Sequence, residues 1–85
     1  MENNKYIDKV IGSLVRSTKI DYEKERIYFS FYPYPFHFLD SFLSSSLLYS
    51  FSKYCKNTFG LTKYEIDYVW EEYITIIEDK IENGQ

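Results

Sequence analysis

Alanine is absent from this 85-residue chain, and cysteine, tryptophan, methionine and histidine occur once each. The lone Cys55 leaves no internal disulfide framework and suits a reducing compartment. One histidine and one cysteine fall short of the three or four nitrogen and sulfur ligands a zinc site needs, so neither a metal nor a cofactor is expected. The three glycines stand apart, at 12, 60 and 84, which excludes a glycine-rich phosphate loop. No stretch approaches the ~20 apolar residues that span a bilayer. The opening MENNKYIDKV has no apolar core of a secretory signal, so the expected address is the cytoplasm. A net charge of −3, with only two arginines, argues against nucleic acid, whose phosphates need a concentrated basic surface.

What the chain does have is aromatic and β-branched bulk. Ten tyrosines and seven phenylalanines occur, with isoleucine outnumbering leucine and lysine outnumbering arginine. These residues have AT-rich codons, so an AT-rich genome is expected as the source: a low-GC bacterium, its phages or an archaeal virus. At this length one domain, residues 1–85, can bury a core without metals or disulfides.

Periodicity orders the elements. Ile7, Val10, Ile11 and Leu14 paint one apolar stripe, predicting a helix over about 5–17 with Asn3 or Asn4 as cap and Gly12 open to a neighbouring backbone. The period then changes to two. Ile27, Phe29 and Phe31 alternate with Tyr28, Ser30 and Tyr32, so a hairpin is expected over about 18–32 with Glu23, Lys24 and Glu25 as its loop. Pro33 and Pro35 should end it. A second helix is expected over about 40–57, capped by Asp40 or Ser41, with Leu43, Leu47, Leu48, Phe51, Tyr54 and Cys55 inward and Gly60 stopping it. Ser44, Ser45 and Ser46 fall mid-helix on this reading, where their hydroxyls compete with the backbone. Thr62 and Glu65 form a capping box, with Leu61 and Ile66 as staple, opening a third helix to about Ile81. Its arc of Ile66, Val69, Trp70, Tyr73, Ile74, Ile76, Ile77 and Ile81 is broad enough for the central packing element. The predicted fold is α+β, a small single domain ordered helix, β-hairpin, helix, helix. The alternative is an all-α three-helix bundle with an aromatic loop.

Catalytic chemistry finds no support. His37 has no placed nucleophile and reads as a locally bonded loop residue. Cys55 falls on an apolar arc and reads as core. Leu39, Asp40, Ser41 and Phe42 are similar to the Asp-Ser-Leu site of acyl carrier proteins. That resemblance implies a serine, Ser41, opening a helix and carrying phosphopantetheine. It covers four residues, and the helix that follows is FLSSSLLYSFSKYCK where carrier proteins have an acidic one.

The third helix is the most suggestive surface. Asp67, Glu71, Glu78 and Glu82 make a stripe at helical spacing, with Glu65, Glu72 and Asp79 beside it and Lys80 the one cation between 65 and 82. DNA would repel a helix of that sign, so the turn at Gly60 is not a helix-turn-helix. Tyr64 and Tyr68 fall on the same polar face, and tyrosine among charges is a common interface anchor. The function expected is a non-enzymatic protein-binding module, an inhibitor from a phage or mobile element. It would occlude a basic site on a host protein through Tyr64, Asp67, Tyr68, Glu71 and Glu78. A solvated face that only keeps the protein soluble is the plainer alternative. A second reading is a homodimer, joined through Tyr28, Tyr32, Phe42 and Tyr49, which the wheel and pleat leave without inward partners.

Overall fold

In the computed structural model of the chain, which describes residues 3–84, the first apolar stripe becomes helix α1, Asn3–Arg16. Ile7, Val10, Ile11 and Leu14 are all buried. The helix already includes Asn3 and Asn4, so its cap lies outside the described residues. Gly12 meets only the guanidinium of Arg16, 3.1 Å from where a Cβ would sit, and no neighbouring backbone comes close.

The hairpin forms from β1, Lys19–Asp21, and β2, Arg26–Tyr28, in antiparallel register with Ile20 opposite Ile27. Glu25, in the loop, holds a left-handed φ of 57°. The expected alternation holds beyond the ladder, with Ile27, Phe29 and Phe31 buried. The prolines do not end the sheet. They sit in the connection to a third strand, β3, Phe36–His37, which pairs with the other edge of β2, placing Phe36 opposite Ile27 and His37 opposite Arg26. Phe38 N–H extends the join, donating to Glu25 O at 3.0 Å. A proline cannot donate to a ladder, but nothing stops the residue after it from doing so. The sheet order β1-β2-β3 therefore covers both edges of β2, where an isolated hairpin would have left one open.

Helix α2 runs Ser45–Phe59, five residues later than its expected start. Its cap is Ser44, whose hydroxyl accepts from Leu47 N–H, so the serine run is the beginning of the helix rather than an oddity within it. Asp40 and Ser41 instead close turns: Asp40 accepts from His37 N–H at 3.0 Å, and Ser41 Oγ from Leu43 N–H at 3.0 Å. This shift moves Leu43 off the inward arc and leaves it 76 % exposed. It also takes Phe42 off the helix, where the ring stacks on Phe36 at 5.6 Å. Leu47, Phe51 and Cys55 are buried as expected. Gly60 closes α2 in the left-handed conformation, φ 66°, its N–H reaching the carbonyls of Cys55 and Lys56.

Helix α3, Lys63–Asn83, opens on the complete capping box: Glu65 N–H donates to Thr62 Oγ1 and Thr62 N–H to Glu65 Oε1. Ile66, Val69, Tyr73, Ile74 and Ile77 are buried, Trp70 and Ile81 half-buried, and Ile76, at the margin of the arc, is exposed. The architecture is thus α+β: three helices with a three-stranded antiparallel sheet, in the order helix, hairpin, helix, helix plus the short third strand.

With no alanine to fill space, the centre of the core is a cluster of rings set among isoleucine, leucine and valine. Tyr73 lies fully buried among Phe29, Phe31, Phe51 and Trp70, with centroids 6.0 to 6.3 Å away. Its hydroxyl meets Thr18 Oγ1, which also donates to Leu14 O at the end of α1. Two further phenols tie helix ends: Tyr6 donates to Phe59 O and Tyr22 to Lys80 O. Replacing Tyr73 by Phe should cost about 1 kcal/mol through the lost hydrogen bond, whereas Tyr73→Ala should cost about 3–5 kcal/mol through the cavity. Chemical denaturation of the two variants checks the ratio. Equal losses would mean that the hydroxyl, not the ring, holds the junction.

Candidate protein-binding surface

Of the two reactive side chains, the fold buries one and leaves the other half-exposed with local partners. Cys55 is fully buried on α2, and burial pushes its thiol up from 9.0 to about 12. His37 is held locally, its Nδ1 accepting from Leu39 N–H at 3.1 Å and its Nε2 3.8 Å from Glu25 Oε1. No group of three or more His, Cys, Asp or Glu side chains among the described residues is placed to hold a metal ion. No helix among them is long and apolar enough to cross a membrane. Ser41, the residue the carrier-protein resemblance points to, sits in a turn four residues before α2 begins and does not open a helix.

The five residues expected to bind a partner all lie exposed on α3, with Tyr64, Asp67, Tyr68 and Glu71 at the i, i+3, i+4, i+7 spacing of one helix face. Tyr64 is 85 % and Tyr68 54 % exposed, both on the outward side of the helix. Asp67, Glu71 and Glu78 stand at the edge of that face and line a groove between α3 and the α2 side of the molecule. Three concavities run into one another there. The first is lined by Tyr49, Lys53, Lys56, Lys63, Ile66 and Asp67. The middle one shares Ile66 and Asp67 and adds Leu43, Leu48, Phe51 and Trp70. The last shares Leu43, Trp70 and Glu71 and continues past Phe42, Asp40, Ile74 and Glu78. The floor is apolar, built from Ile66, Trp70 and Ile74 at four-residue spacing on α3.

The groove was not visible in the sequence, because it exists only once α2 folds back along α3. Its one advance signal was Tyr49, which falls outside the apolar arc of α2 and is strongly exposed. Of the residues expected to join two chains, Tyr49 and Tyr28 remain exposed. Tyr32 and Phe42 are taken into the fold, Tyr32 by an edge contact with Phe36 and a 3.2 Å hydrogen bond with Ser46, Phe42 by its stack on Phe36.

The charges are free. Among the described residues the one ion pair within 4.0 Å is His37 with Glu25, and no lysine or arginine reaches a carboxylate. Of the seven carboxylates of α3, Glu65 is used by the capping box and Asp79 accepts from Asn83, while Asp67, Glu71, Glu72, Glu78 and Glu82 and the lysines of the groove remain open to another molecule. No known protein family, curated protein or solved structure matches this chain. The fold and surface define a small α+β protein with an exposed, charged helix face.

Burial also sets a pH limit. The Cys55 thiol and, in the same direction, the Tyr73 phenol are both raised by burial. For an acid whose folded pKa is raised, the stabilisation is complete below the unfolded value and is lost as pH climbs toward the folded one. The unfolding midpoint should therefore fall progressively between pH 9.0 and 12, and Cys55→Ala should remove part of that slope. A midpoint that holds constant across this range would mean the thiol is not desolvated. Maleimide labelling of native protein should fail and should succeed in denaturant.

Proposed function

We propose that this protein is a non-enzymatic protein-binding module, an inhibitor of phage or mobile-element origin that works in the cytoplasm by covering a basic site on a host protein. The observation that carries this reading is the pair of tyrosines, Tyr64 and Tyr68, standing in solvent beside carboxylates that no cation among the described residues pairs with. A buried or packed tyrosine would serve stability. These two serve nothing inside the fold, and amphipathic rings are efficient anchors because they bring large contact area at small entropic cost. Glu71 and Glu78, with Asp67, then pair with lysine or arginine of the target. That complementarity speeds association and makes it salt-sensitive. Steric occlusion needs no catalytic group, in keeping with a buried thiol and a locally bonded histidine.

A tagged pull-down from a low-GC bacterial lysate tests the reading, at low and high salt, beside a bait carrying Tyr68→Ala with Glu71→Lys. Both positions are exposed, so the fold should survive. The expected result is one partner, captured by the unaltered protein, weakened by salt and held at least ten-fold less well by the variant. Equal capture by both baits would exclude the tyrosine face as the working surface.

A further inference from the structure

The groove between α2 and α3 has ends of opposite sign. Lys53, Lys56 and Lys63 gather at one end, with Asp67 the lone carboxylate there, while Asp40, Glu71 and Glu78 line the other. From Lys63 to Glu78 the helix rises about 22 Å, at ~1.5 Å per residue. That exceeds the ~10 Å screening length at 0.1 M salt, so each end acts as a separate charge rather than being cancelled by its opposite. Between them runs an apolar strip, with Tyr49 at the lysine end and Leu43 toward the carboxylate end, 67 % and 76 % exposed.

We infer that this groove is a homodimer interface, in which a second copy of the chain docks about a two-fold axis and sets its carboxylate end on the first copy's lysine end. A two-fold axis through the middle of a bipolar strip maps each end onto its opposite, so the surface is complementary to itself. Both ends gain attraction at once, and the exposed Leu43 and Tyr49 of each copy enter the concavity of the other. A uniformly basic occupant would match the carboxylate end and meet like charge at the lysines. A uniformly acidic one would fail at the opposite end. The second copy matches both. Dimerisation covers Glu71 and Glu78, so a protomer uses those carboxylates either for its twin or for another protein.

Charge reversal tests the interface. Lys53→Glu with Lys63→Glu makes both ends acidic, and Glu71→Lys with Glu78→Lys makes both basic. All four positions are exposed. Lys56 is left alone because a carboxylate in the last turn of α2 would oppose the helix dipole. Light scattering at low salt should give twice the 10.3 kDa of the chain for the unaltered protein. Each variant alone should be a monomer, its self-association weakened about a hundred-fold or more by like charge at both ends. Mixing the two variants should restore the doubled mass. Leu43→Asp, which leaves the ends untouched, should also yield a monomer with unchanged circular dichroism, and it decides the matter if a charge variant does not fold. A monomeric unaltered protein would overturn the inference. So would variants that remain dimers alone, or a mixture that stays monomeric. None of these readings depends on the lysate pull-down, so the two proposals fail separately.

Discussion

The ring of Tyr73 is the contact on which the arrangement of the elements depends. It lies on α3, stacks against Phe51 of α2 with an interplanar angle of 12°, and touches Phe29 and Phe31 of the segment leaving the sheet. Its hydroxyl then reaches Thr18, where α1 gives way to β1. One side chain thus locates two helices, a helix end and a loop relative to one another. The isoleucines, leucines and valines of the three helices and β2 fill in around this ring. Aromatic side chains bury large area at few points, which makes a small core possible and also makes it dependent on a handful of residues. A domain of this size is expected to hold together by roughly 4–13 kcal/mol, so a single ring is a sizeable share.

Much of the fold was legible because its signals are local. The stripe of Ile7, Val10, Ile11 and Leu14, the Thr62 and Glu65 capping box and the Gly60 stop each depend on residues within a turn or two, and each stands as read. The misreadings came where local signals compete. Asp40, Ser41 and Ser44 are all good cap residues, and only packing chooses among them. The chain used the last, which reassigned Leu43 and Phe42 from a helix wheel to a turn. The third strand escaped notice because two prolines read as an ending, while the two residues that make the strand carry no pattern long enough to detect.

The site was legible to the same extent. Helical spacing put the carboxylates and tyrosines of α3 on its polar side, and they are there. Spacing on one helix says nothing of what lies across from it, so the groove beside them needed the second helix in place. The same holds for the lysines, which look scattered in sequence and gather only in three dimensions.

The left-handed Gly60 and the two residues after it do more than end a helix. By turning α3 back along α2, they bring the last turns of one helix beside the first turn of the next, and with them Lys53, Lys56 and Lys63. The backbone dipoles of two antiparallel helices largely cancel. The opposite signs of the groove's two ends therefore belong to a few surface side chains. They can be rewritten one codon at a time, with the core left as it is.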